Sequence, residues 1–301
     1  MGSLEPVQRQ GRQVVRHERL LLSVILSLAL VYCCFFPPGY ALPAIFDTPY
    51  KPGTNRTAAH RVDHAAPEVI APRLAVMIVN DASASPNLVP VMLHFAAVLG
   101  PVWSLVLFTQ EEHWKMPHSP AFVRAVQRGQ IEIRFLPPAT EVTTSQHMSN
   151  FLTRPWIWEQ VSSAHRVLLF QLDSIICSNS LYTVEAFFEY DFIGAPTEPG
   201  HGAGYNGGLS LRNPKLFAAI AKEVDFRQSA EDSEDLWFYA EAVKRGAVLP
   251  TQRVAQEFSV GPIYHAKPLG YHQPQRWQHE RMKEILDWCP EVGMLVGHHA
   301  A

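Results

Sequence analysis

Residues 166–174 read RVLLFQLDS: four apolar residues in a row, then a glutamine, a leucine, an acid and a serine. A short apolar run opened by a charge and closed by polar residues is the pattern of a strand buried on both faces. Asp173 then falls where the backbone leaves the sheet. The same pattern recurs upstream at Leu74–Val79, Trp103–Phe108 and Ile131–Leu136. Between these runs the apolar spacing becomes helical, over Pro90–Leu99, over Ser119–Gln127 with Gly129 closing it, and over Phe151–Ala164 with Asn150 as a cap. Strands that alternate with helices at this spacing predict an α/β fold, with a mostly parallel sheet and helices on both faces. In such sheets ligands bind at the carboxyl ends of the strands. Downstream the pattern is less regular. It predicts a helix over Leu181–Glu189, short strands at Phe192–Ala195 and Gly207–Leu211, and helices over Pro214–Lys222 and Glu234–Lys244.

The whole chain has 301 residues, a formal charge of −3 and 47% hydrophobic residues. That is enough apolar material for a sizeable core and argues against wholesale disorder. The near-neutral balance offers no general field for nucleic acid. The 4 cysteines form no C-x-x-C pair. Cys177 and Cys289 fall in the soluble part, either bridged or as two buried free thiols.

Leu20–Phe36, LLLSVILSLALVYCCFF, holds 17 residues without a charge. As a helix it would span roughly 25 Å, which suits a thin bilayer of the early secretory pathway. Arg9, Arg12, Arg16 and Arg19 precede it, and the 24 residues after it carry only Lys51 and Arg56 as bases. The positive-inside rule therefore predicts a single-pass type II anchor, with residues 1–19 cytosolic and the rest in the lumen of the endoplasmic reticulum or Golgi. A cleaved signal peptide and a buried core helix are the other readings of this segment. Residues 37–72, rich in Pro, Ala and short polar residues, read as a stem, and Asn55-Arg56-Thr57 within it is a glycosylation sequon.

Four places could carry chemistry. Asp173 at a strand end can hold a divalent cation and, through it, a diphosphate; alternatively it caps the next turn with Ser174. Asn206-Gly207-Gly208 precedes an apolar run. The glycines either let backbone approach a ligand closely or form an Asn-Gly hairpin turn. Glu231, Asp232, Glu234 and Asp235 open a helix. Acids there stabilise a helix start in any case, but Glu234 or Asp235 could also deprotonate an acceptor hydroxyl. His272 on a late loop could complete a metal shell, with His265 as a competitor. Residues 80–87, NDASASPN, contain no glycine, so the phosphate turn of a dehydrogenase is absent, and the G-x-S-x-G elbow of a serine hydrolase is absent too.

The order of RVLLFQLDSIICSNS (166–180), EYDFIGAP (189–196), YNGGLSLRN (205–213), EDLWF (234–238), EFSV (257–260), PLGYHQP (268–274) and CPE (289–291) resembles the family known as domain of unknown function 5672, found in fungi and bacteria. The resemblance runs from about residue 73 to about 291. That family is grouped with glycosyltransferases of the A fold, a Rossmann-like nucleotide-sugar-binding domain joined to an acceptor region. The resemblance implies a domain over 73–291 followed by a tail over 292–301. It implies a nucleotide-sugar donor, a glycan or glycoprotein acceptor, and Mn²⁺ or Mg²⁺ at Asp173 aided by His272. It further implies substrate contacts at Asn206, Gly207 and Gly208, and a base at Asp235 or Glu234. Two departures stand out. Gln171 occupies the first acidic position of the usual D-x-D, and the first strand is followed by Asn80-Asp81-Ala82 rather than an acidic residue and an arginine. The chain therefore reads as a hexosyltransferase-like glycosyltransferase, or else as an inactive, membrane-tethered nucleotide-sugar- or glycan-binding protein of the same fold.

Overall fold

The computed structural model describes residues 72–198, 200 and 203–296. The expected tail 1–19, the anchor 20–36, all but the last residue of the stem 37–72, and Asn55 lie outside the described residues. Among the described residues no helix is long and apolar enough to cross a membrane.

Six strands form the main sheet, β1 (Arg73–Ile78), β2 (Trp103–Thr109), β3 (Ile131–Phe135), β4 (Val167–Phe170), β6 (Phe192–Pro196) and β7 (Tyr205–Arg212), in the order β3-β2-β1-β4-β7-β6. The strands β3, β2, β1 and β4 run parallel. β7 is antiparallel to both of its neighbours, so the sheet is mixed, with one strand reversed. The apolar runs explain the arrangement. Ala75, Met77, Leu105, Phe108 and Phe170 are fully buried, as in a sheet covered on both faces. Helix α1 (Leu88–Leu99) packs on β2, and its Phe95 stacks on Phe170 with ring centres 3.9 Å apart.

A second, small sheet decides where the site lies. It has the order β5 (Ser174–Ile176), β9 (Gly270–His272) and β8 (Ser259–Val260). β9 pairs antiparallel with β5, placing Ser174 opposite His272. The tight turn Gln171–Ser174 joins β4 to β5. Ser174 closes that turn through its hydroxyl, which donates to Gln171 O at 2.7 Å. A disulfide between Cys177 and Cys289, with Cα atoms 5.0 Å apart, ties the end of β5 to the C-terminal segment.

Several expectations are corrected. The helix expected over Phe151–Ala164 is two, α3 (Ser145–Leu152) and α4 (Pro155–Gln160). Pro155 cannot continue a helix from Arg154, so it starts a new one. Thr144, not Asn150, caps α3, accepting from His147 N at 3.1 Å. Only one 3₁₀ turn, Val184–Phe187, forms within the helix expected at Leu181–Glu189. Gly207 and Gly208 lie inside β7, so the hairpin-turn reading fails. Helices α5 (Pro214–Glu223) and α6 (Glu234–Lys244) follow the expected pattern. The chain then runs through α7 (Gln252–Phe258), α8 (Pro274–Trp277), α9 (Met282–Trp288) and α10 (Gly293–Val296).

Candidate active site

Beyond the carboxyl end of β4 lies a cleft of about 400 Å³. The reversed strand β7 brings Asn206, Gly207 and Gly208 to it, the first turn of α6 brings Ser233, Glu234 and Asp235, and the segment from β9 to α8 brings His272, Gln273, Arg276 and Trp277. Gln171, the segment 142–144 and residues of α3 complete the lining. Six of the residues singled out in the sequence therefore share one cavity. The seventh, Asp173, lines an adjoining hollow of about 470 Å³ that shares Gln273 and Arg276 with the cleft. A larger hollow, about 780 Å³, lies by Arg154 and Lys222 and is lined by none of these residues, so size alone does not locate the site. His265 lines none of the three.

The paired glycines have a concrete reason. A Cβ at Gly207 would stand 2.3 Å from Arg212 Nη2 and 2.8 Å from Glu234 Oε1. A Cβ at Gly208 would stand 2.2 Å from His272 Nε2. The glycines make room for side chains of the protein itself. Asn206 Oδ1 accepts from Gly208 N at 2.9 Å and so fixes the backbone between the two.

Glu234 and Asp235 have separate tasks. Glu234 accepts from Arg212 Nη1 at 2.8 Å and from Nη2 at 3.0 Å, a bidentate pair sealed in the core. Burial pushes the Glu234 carboxyl up, against the pull of Arg212. Asp235 accepts from Gly207 N at 2.9 Å and Leu236 N at 2.9 Å, and from the Ser233 hydroxyl. Three of its roughly four lone-pair sites are filled, which orients the carboxylate and leaves one site free. Arg212 was missed in the sequence. Its signal was there, because an arginine in a strand of otherwise apolar and small residues needs a buried acid.

Asp173 does not cap its own turn. Its Oδ2 accepts from Gln273 Nε2 at 2.7 Å, and its Oδ1 lies 3.3 Å from His272 Nε2. Burial raises its carboxyl, but His272 and Gln273 outweigh that and hold it below the usual range. His272 is 4% exposed, and neither ring nitrogen makes a hydrogen bond. Asp173 and His272 are thus brought together as expected. Among the described residues, however, no group of three His, Cys, Asp or Glu is placed to hold a metal ion. The expected Mn²⁺ or Mg²⁺ therefore finds two protein donors here, one of them already engaged, and no third. Asp81 Oδ1 accepts from Ser83 N, Ser83 Oγ and Ala84 N, which ties that oxygen into its own turn.

Residues 130–272 match the family described as "Protein of unknown function (DUF5672)". The DUF5672 match takes in β3 through β9, and with them every candidate residue of the described chain. It leaves β1, α1, β2 and α2 (Pro120–Gln127) outside before it, and α8, α9 and α10 after it. No curated protein matches the chain. Among solved structures, the apo glycosyltransferase GlyE of Streptococcus pneumoniae TIGR4 is 15% identical over 67% of this chain, with a TM-score of 0.40. The chain spans 54% of the length of GlyE. The galactosyltransferase LgtC, in complex with donor and acceptor sugar analogs, is 12% identical over 72% of this chain and 96% of its own, with a TM-score of 0.39. The mannosyltransferase PcManGT of Pyrobaculum calidifontis, in complex with GDP-Man and Mn²⁺, is 9% identical over 61% of this chain and 56% of its own, with a TM-score of 0.37.

Proposed function

We propose that the protein is a glycosyltransferase that moves a sugar from a nucleotide-sugar donor to a hydroxyl of a glycan or glycoprotein. The observation that carries the reading is Asp235: a carboxylate on the wall of a cleft at the carboxyl edge of the sheet, oriented by three donors and, among the described residues, paired with no cation. The ordered blocks in the sequence support the same reaction class. In the transfer Asp235 takes the proton of the acceptor hydroxyl. The acceptor oxygen bonds to the anomeric carbon, and the bond from that carbon to the diphosphate oxygen breaks. Glu234 is spent on Arg212 and serves to hold β7 against α6, so the base is assigned to Asp235 alone. Asn206, Gly207 and Gly208 form the strand wall beside the reacting centre.

A Mn²⁺ or Mg²⁺ would neutralise the leaving diphosphate. Asp173 and His272 do not by themselves make a shell for it, and no step is routed through one. The cellular setting is proposed on separate grounds. The apolar segment 20–36 with its arginine flank, the sequon at Asn55 and the Cys177–Cys289 bridge fit a type II protein facing an oxidising lumen.

A second reading, a binding protein without turnover, is favoured by Asp81, whose carboxylate is tied into its own turn. One experiment separates the two. The full-length chain in detergent is incubated with a panel of uridine and guanosine diphosphate sugars, and release of the nucleoside diphosphate is measured. Turnover that falls about 10²–10⁴-fold in Asp235→Asn, in a variant that still binds the nucleotide sugar, supports the transferase. Binding without release gives the second reading. No binding of any nucleotide sugar sinks both.

A further inference from the structure

The cleft wall formed by His272, Gln273, Arg276 and Trp277 has donors that lack acceptors. Trp277 Nε1 is buried and has no hydrogen-bond partner among the described residues. His272 is sealed against Gly208, its Nε2 faces Asp173, and its Nδ1 has no partner. Arg276 is exposed. Its guanidinium lies 4.4 Å from the centre of the Trp277 ring, and it donates to Gln273 Oε1 at 3.2 Å. Unlike Arg166 and Arg212, it pairs with no carboxylate among the described residues. Buried donors without acceptors are costly and therefore rare in a folded protein. Trp277 Nε1, with His272 Nδ1 near it and an unpaired cation beside both, lines one cavity whose wall suits an anion.

Shape narrows the anion. Arg276 and Gln273 stand between the cleft and the adjoining hollow and line both. A polyanion in the cleft would meet Arg276 and Gln273 on the wall that the cleft shares with the hollow beside Asp173. Asp173 keeps its negative charge, and its oxygens face Gln273 Nε2 and His272, so the ligand's charge is met on the Arg276 side of the wall.

We infer that this wall is a side-chain site for the diphosphate of the donor, in which Arg276 supplies the charge and Trp277 Nε1 a hydrogen bond, so that the leaving group is met by the protein without a divalent cation. The inference rests on the glycosyltransferase reading and deepens it. When the bond from the anomeric carbon to the diphosphate oxygen breaks, its electron pair stays on that oxygen. The added negative charge falls beside Arg276, while the acceptor proton goes to Asp235. The stacked Trp277 ring holds the guanidinium in place before the ligand arrives.

The test is calorimetric titration of the full-length protein with inorganic pyrophosphate in EDTA, repeated with Mn²⁺. Pyrophosphate should bind in EDTA. Arg276→Ala should weaken it about tenfold or more, with Arg276→Lys recovering part. Trp277→Phe, which keeps the ring and removes the N–H, should weaken it about threefold to tenfold. Arg276 is exposed, so the melting temperature of its unliganded variants should not move. Binding that appears only with Mn²⁺, or that Arg276→Ala leaves unchanged, overturns the inference. If nucleotide-sugar turnover persists in that case, the transferase reading stands without this site. If pyrophosphate binds as expected and no nucleotide sugar is turned over, the anion site stands and the transferase reading falls.

Discussion

Gly207 and Gly208 are neighbours on β7, and each lies against a basic side chain that meets an acid, yet the two pairs are built to opposite ends. Behind Gly207, Arg212 and Glu234 have side chains 0% and 10% exposed. Every contact there is closed: two bonds between the pair, one from Arg212 Nε to Ser210 Oγ at 2.9 Å, and three aromatic rings, Trp158, Phe192 and Phe217, around the guanidinium. Against Gly208, His272 and Asp173 have side chains 5% and 44% exposed, meet at 3.3 Å, and leave ring nitrogens without hydrogen bonds. A pair with all its valences answered holds a scaffold. A pair with open valences is where the molecule can still bind something.

The sharpest way to break this contrast is to remove half of the closed pair. Glu234→Ala strands a fully buried guanidinium, and the loss should be about 3–5 kcal/mol by urea denaturation. Glu234→Gln keeps an acceptor and should lose less. A Glu234→Ala protein as stable as the parent would show that the pair does not hold β7 to α6. The disulfide comes next, because it anchors β5 and so the open pair. Cys177→Ser with Cys289→Ser should cost about 2–5 kcal/mol, since the bridge closes a long loop in the unfolded chain. Partial proteolysis of the double variant should cut first around residues 174–180 and 282–292, while the Arg212–Glu234 region stays protected. Cleavage starting near α6 instead would contradict that division.

Smaller effects separate the two glycines. In Gly207→Ala the new methyl meets Arg212 Nη2 and Glu234 Oε1, which cannot yield without opening the pair, so about 1–3 kcal/mol of stability should go. In Gly208→Ala the methyl meets the His272 ring. That ring has a hollow beside it and no hydrogen bonds to lose. The second variant should therefore melt closer to the parent but bind pyrophosphate or nucleotide sugar more weakly. Equal losses of stability in both would erase the contrast.

The parallel half of the sheet could be read from the sequence because its strands are uniform. Runs such as Leu74–Val79 and Val167–Phe170 have one physical solution, burial on both faces. The second half resisted for particular reasons. Pro155 split a helix whose apolar spacing ran straight through it. Gly207-Gly208 has the local chemistry of a turn, and only Arg212 and His272, 4 and 64 residues further along, require glycine within a strand. Asp173, Glu234, Asp235 and His272 were picked out by type and place. Their division into a closed pair, an open pair and a free acid depends on Arg212 and Gln273, contacts made across the fold. Arg276 and Trp277 carried no signal at all, since an exposed arginine beside a tryptophan marks a site only when a cavity is found next to it.

The smallest effect concerns the open pair and acid. His272 and Gln273 hold the Asp173 carboxyl below its ordinary value, so the interaction adds stability above the unfolded value of about 3.9 and loses it as the pH falls through the folded value. The side chain is 44% exposed, and solvent screening should keep the contribution to about 0.5 kcal/mol. Asp173→Asn should therefore be slightly less stable than the parent at pH 6, and the two should converge as the pH drops below about 4. Denaturation curves at pH 3, 4, 5 and 6 would show it. A gap that stays constant across that range would mean that the aspartate acts through shape alone. His272 would then be held by packing against Gly208, and the open pair would not be an electrostatic pair at all.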